Sequence, residues 1–198
     1  MRNIFTIIAF AYAITSFGQD FNAHVAEAKS SYSSGDLENT RFKLERALQE
    51  LDIIIGKEIL KQLPTQLGSL KFNEADDNVT SGSGMGTGLF VHRSYGVEMN
   101  TGRIDVINNS PLIASLNAML SIPFVGNSGD GTQKVIKVQG YKAVMNKNAN
   151  EQTGKVGYTI QIPVNNTLYT VEMDETSESE IQSIANSIPI AKITQMAN

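Results

Sequence analysis

The chain has 198 residues, 41% of them apolar and 18% charged, with a formal net charge of −4 at pH 7. That length holds one domain with a real core, or a small domain plus a helical appendage, and leaves two full domains cramped. The absence of cysteine excludes disulfides, thiolate metal sites, a cysteine nucleophile and a lipidated cysteine. A mildly acidic chain with no basic run disfavours nucleic acid as a partner.

Met1 to Gly18 carries Arg2, an apolar run from Ile4 to Ile14, and then Ser16, Phe17 and Gly18. The pattern reads as a secretory signal peptide cut after Gly18, because the run is shorter than the roughly 20 residues a membrane span needs. Loss of Arg2 takes the charge from −4 to −5 and leaves Gln19 at the new terminus. No later stretch is apolar enough to span a bilayer. The protein is therefore expected in the periplasm or outside the cell, with its core alone to hold it. The lack of Trp weighs against a carbohydrate-stacking platform.

Residues 20–64 are predicted to form a helical hairpin. Phe21, Val25, Ala28 and Tyr32 suit a short amphipathic helix, broken by Ser33, Ser34, Gly35 and Asp36. From Leu37, the residues Phe42, Leu44, Ala47, Leu48, Leu51, Ile54, Ile55, Ile59, Leu60 and Leu63 keep near-helical spacing until Pro64. Gly56 is a weak interior point, costing about 1 kcal/mol against Ala. The stretch from Tyr32 to Leu37 and on through Leu44-Glu45-Arg46-Ala47-Leu48 resembles one tetratricopeptide unit, in which the Gly-Asp turn and a small residue on the second helix allow close packing. No second copy is found, so the resemblance implies a hairpin and not a solenoid. Tyr32, Asp36 and Phe42 are its candidate partner-binding surface.

Residues 65–88 are polar and glycine-rich and read as a flexible linker, with a short edge strand around Leu70 to Phe72. Residues 89–195 are predicted to be an α+β domain. Leu89 to Tyr95 and Val97 to Met99 look like strand, turned at Asn100-Thr101-Gly102 into Arg103 to Ile107. Ser110 as cap and Pro111 in the first turn then open a helix ending near Ser121, and a loop runs from Ile122 to Thr132. The stretch from Gln133 to Met196 reads as three strands and a closing helix. The first covers Lys134 to Met145 with Gly140 inside it, and Asn146 to Gly154 is a polar tip. Val156 to Val164 alternates without a break, Asn165-Asn166 turns it, and Leu168 to Met173 returns. Ser177 with Glu180 makes a capping box for a helix whose Ile181, Ile184, Ala185 and Ile188 share a face.

Strands, helix, strands, helix, with short connections, make an α+β fold: a helical hairpin followed by an antiparallel sheet with helices against it. The order from Gln133 to Ile190 is similar to the PsbP-type α+β sandwich found in small exported bacterial proteins. It also resembles periplasmic families that precede such a domain with a helical segment ending Leu-Pro, here Leu63-Pro64. The resemblance implies a binding or assembly module without catalysis.

The candidate chemistry is thin. His24 and His92 have no carboxylate or second histidine at metal-ligand spacing in the sequence, and no Gly-x-Ser-x-Gly or His-Glu-x-x-His is present. The run Gly82 to Gly88 lacks the Lys-Ser/Thr ending of a phosphate loop. Asp76, Asp77 and Asn78, or Asn127, Asp130 and Thr132, lack the acidic alternation of a calcium loop. Glu172, Asp174, Glu175, Glu178 and Glu180 collect at the start of the last helix, where the macrodipole favours anions. No catalytic residue, cofactor or metal is expected. The first expectation is a non-enzymatic module of the bacterial envelope working by protein contact. The alternative is a carrier for a small apolar or amphipathic ligand in a sheet-helix crevice lined by Ile113, Leu116, Met119, Tyr158 and Ile160. A hydrolase using Asp77 or His92 ranks third.

Overall fold

A computed structural model describes residues 16–82, 88–97, 100–122, 131–149 and 154–197. The chain divides into two compact units, Met1–Ile54 and Ile55–Asn198. Most of the expected signal peptide, residues 1–15, lies outside the described residues, as do the heart of the glycine run, residues 83–87, and both Asn127 and Asp130.

The first unit is built from α1 (Ser16–Ser33) and the first part of α2 (Leu37–Leu60). Gly35 turns the chain with φ +82°, and Asp36 caps α2 by accepting the Asn39 amide at 3.0 Å. The helices run antiparallel, because Asn39 Nδ2 donates to Ser31 Oγ at 2.7 Å and Lys43 pairs with Glu27 at 2.7 Å. The Lys43 ammonium donates to the Glu27 carboxylate and holds its pKa below the ordinary value. From Asp20 to Ile54 the buried residues are Ala28, Ser31 and Ala47, all small, so the seam between the helices is close and narrow.

The second unit begins inside α2, where Ile59 and, past the helix end, Leu63 are buried in the main core. Gly56 is required there: a Cβ would sit 2.3 Å from Val79 Cγ1 and 2.9 Å from Leu89 Cδ1. Residues 65–82 do not form a linker. They make the small hairpin β1 (Gln66–Leu67) and β2 (Leu70–Lys71), a 3-10 turn (Glu74–Asp76) and the edge strand β3 (Asn78–Ser81). Leu67 and Leu70 are buried, and the polar composition that reads as linker belongs to their exposed alternates. Asp77 anchors this stretch through a two-pronged bond from buried Arg93, Nε to Oδ1 at 2.9 Å and Nη2 to Oδ2 at 2.5 Å. That carboxylate, first by its hydrogen bond, keeps the guanidinium firmly charged.

Beyond it lie β4 (Leu89–Val97), β5 (Asn100–Asn108), α3 (Leu112–Ser121), β6 (Gln133–Val138), β7 (Tyr141–Ala149), β8 (Val156–Val164) and β9 (Thr167–Met173), closed by α4 (Glu178–Ser187) and α5 (Ile190–Ala197). The strands form one antiparallel sheet in the order β3-β4-β5-β9-β8-β7-β6. It consists of two meanders joined edge to edge where β5 pairs with β9. The class is α+β. The stretch from Gln133 holds four strands, because Gln139 and Gly140 take φ +50° and +88° and make a tight hairpin turn. It holds two helices, because Pro189 separates α4 from α5.

Ser177 caps α4, its Oγ accepting the Glu180 amide at 3.2 Å. The returning half of the capping box is replaced: the Glu180 carboxylate accepts from Thr176 Oγ1 at 2.9 Å. Pro111 already has helical φ and ψ of −63° and −19°, and Ser110 Oγ accepts from the Leu112 amide at 3.4 Å. The first sheet face carries Ile104, Ile160, Ile162, Tyr169 and Val171 under α4, α5 and the end of α2. Tyr169 locks α5 to β9, its hydroxyl meeting Thr194 Oγ1 at 2.7 Å and Ile190 O at 3.2 Å. Burial pushes its phenol up to about 12. On the second face α3 lays Leu116 and Leu120 over Val144 and Leu168.

Candidate functional site

The sheet separates the residues expected to line an apolar crevice. Ile113, Leu116 and Met119 pack on the second face with Val144 and Leu168, whereas Tyr158 and Ile160 belong to the core of the first. Strand alternation causes this: Ile160 and its neighbour Gln161 point to opposite faces, and Gln161 is the residue opposite Val144. No crevice joins the five.

The second face between β4 and β9 is polar. Cross-strand register sets Ser94 opposite Arg103 and His92 opposite Asp105, then Arg103 opposite Glu172. His92 Nδ1 lies 2.6 Å from Asp105 Oδ1. Arg103 reaches Asp105 Oδ2 at 3.5 Å and Glu172 Oε2 at 2.7 Å. His92, Ser94, Arg103 and Glu172 face an open cavity of about 420 Å³ between the 3-10 turn, the β4-β5 hairpin and the end of β9. Nδ1 held by Asp105 leaves Nε2 as the nitrogen able to present a lone pair. The three hydroxyls in the lining donate away from the imidazole, Ser94 to Asp76 at 3.0 Å, Thr101 to Asp174 and Tyr95 to the Pro64 carbonyl at 2.8 Å. Among the described residues the arrangement is a charge network engaged within itself, with no side-chain nucleophile aimed at the imidazole. Sequence inspection misses the His92–Asp105 pair because the partners are 13 residues apart and only the hairpin register joins them.

The other candidates fall apart in the same way. Asp77 is engaged by Arg93, and the acids around the start of α4 have separate partners: Glu172 meets Arg103, Glu175 meets Lys155 and Glu178 meets Lys134. The Glu178 bond raises the Lys134 pKa. Among the described residues no group of three or more His, Asp or Glu side chains is placed to hold a metal ion. His24 sits on α1, 3.7 Å from Glu27.

The three residues expected to meet a partner sit in different settings. Asp36 is a helix cap. Phe42 lies beneath Arg46 and Lys43, whose cationic heads are 5.3 and 5.6 Å from its ring centre. Tyr32 is 68% exposed, and it has company: Leu37, Leu44, Leu48, Leu51 and Val25 are exposed as well. At about 100° per residue, Leu37, Leu44, Leu48 and Leu51 form one stripe on α2, and Val25 and Tyr32 one on α1. Each stripe lies on the same rotational side of the buried alanine of its helix, Ala47 or Ala28. In an antiparallel pair the two stripes therefore share one flank. No family model, curated protein or solved structure matches the chain. The flank and the charged cavity are thus read from their own chemistry. The signal for the flank was in the sequence, in the spacing Leu37, Leu44, Leu48, Leu51, but it was absorbed there into the hairpin's own packing.

Proposed function

We propose that the protein is a non-enzymatic interaction module of the bacterial cell envelope, exported by the signal peptide at Met1–Gly18 and engaging a protein partner through the apolar flank of its hairpin. The α+β unit, read as a PsbP-like body, is the rigid support. The observation that carries this reading is the uncovered flank. Six of the ten large apolar side chains exposed among the described residues, Val25, Tyr32, Leu37, Leu44, Leu48 and Leu51, lie on it, and patches of that kind mark contact sites. The mutual engagement of the cavity's charges and hydroxyls supports a role without catalysis. No described helix is long and apolar enough to cross a membrane, in keeping with contact through a surface.

The test is affinity capture from envelope extract after crosslinking, with the full chain and with Leu44→Ser/Leu48→Ser as baits. Loss of the same partner from the variant, with its unfolding midpoint unchanged, is the expected result. A partner kept by that variant and lost from Arg103→Leu would move the contact to the cavity and overturn the reading. Amino-terminal sequencing of the envelope fraction should begin at Gln19, and an intact Met1 there would contradict export by cleavage.

A further inference from the structure

We infer that the partner of the hairpin flank is a second copy of this chain, the two hairpins stacking face to face as a four-helix bundle. This rests on the reading of the flank as a contact surface and names its occupant. A hairpin of this size is too short to stand on a core of its own, and among its described residues from 20 to 54 the buried ones are Ala28, Ser31 and Ala47. The large side chains that would build a core point out instead, with Tyr32, Leu37 and Leu48 more than 60% exposed.

The shape selects the occupant. Two antiparallel helices present a flat apolar stripe and not a groove, and such a stripe is covered best by another of equal width, as in an up-down bundle. Six side chains at about half exposure offer on the order of 500 Å² of apolar surface per copy. With a polar rim this approaches the roughly 800 Å² each partner gives to a stable complex. The rim carries both signs, with Lys29 on α1 and Arg41 and Glu45 on α2, so a two-fold can set unlike charges together. Within one copy Arg41 already meets Glu45 at 3.0 Å, and the same pair is free to exchange across the axis.

Sedimentation of the exported full chain from about 2 to 200 μM tests this. The expected result is a mass rising toward twice that of the chain, and a single-chain mass throughout for Leu44→Ser/Leu48→Ser, with Leu112→Ser on α3 behaving as wild type. The chain has no cysteine, so Leu48→Cys reports directly: on oxidation it should run as a covalent dimer and Leu112→Cys should not. A single-chain mass at every concentration, or a dimer that survives the double substitution, overturns the inference. If the wild type stays monomeric while the double variant still loses its envelope partner, only the identity of the occupant is wrong. If the variant loses nothing, the contact reading falls too.

Discussion

The hairpin and the α+β unit use the same kinds of residue to opposite ends. In the sheet unit, alternation sends Ile160, Ile162 and Val164 to one face, where helices cover them. In the hairpin, the spacing of Leu37, Leu44, Leu48 and Leu51 sends leucines outward while alanines face inward. Apolar periodicity announces that a face will be covered, and it does not say by what. A helix of the same chain answers that need in one unit, and in the other the leucines stay exposed.

If the sheet unit supplies the stability, its substitutions should be the costly ones. Asp77→Ala leaves the guanidinium of Arg93, whose side chain is 8% exposed, buried without its carboxylate. A loss of about 3–5 kcal/mol is expected in denaturant unfolding. A loss under 1 kcal/mol would show that residues 65–82 are not pinned to the sheet. Ile162→Ala in the covered face should cost about 2–5 kcal/mol. Gly56→Ala brings a methyl within 2.3 Å of Val79 and should cost about 1–3 kcal/mol despite the better helix propensity of Ala.

Alkaline titration sharpens the contrast within the sheet unit. The Tyr169 phenol is raised by burial from 10.0 to about 12, so the folded state prefers its protonated form. The stability it lends is complete below pH 10 and is lost as pH rises through about 12. Tyr169→Phe should make the loss of stability over that window shallower than in wild type, and an equally steep curve would refute the buried phenol. The smallest effect is expected on the hairpin. At a concentration where the chain is monomeric, Leu44→Ser should change stability by no more than about 0.5 kcal/mol.

Much of the fold is legible because local chemistry and tertiary context agree. The unbroken alternation of Val156 to Val164, the Asn165 turn with φ +52°, Ser110-Pro111 and the Ser177 cap each name their element. Pro163 is tolerated in that strand because the β7 ladder reaches only to Gln161. Three things were hidden. Gly140 reads equally as a strand glycine or a turn, and the register of Val138 opposite Tyr141 decides for the turn. The face that α3 covers depends on how the chain crosses between meanders, so Ile113 and Ile160 look alike in sequence and end on opposite sides. His92 and Asp105 meet only because the β4-β5 register makes them opposite, a long-range fact that spacing along the chain does not carry.

Amide hydrogen exchange at low and high protein concentration tests the contrast most directly. Protection along α1 and the first half of α2 should be low when dilute and should rise with concentration, while β8 and β9 stay protected at both. Hairpin amides as protected as those of the sheet, and indifferent to concentration, would show that its outward leucines need no partner.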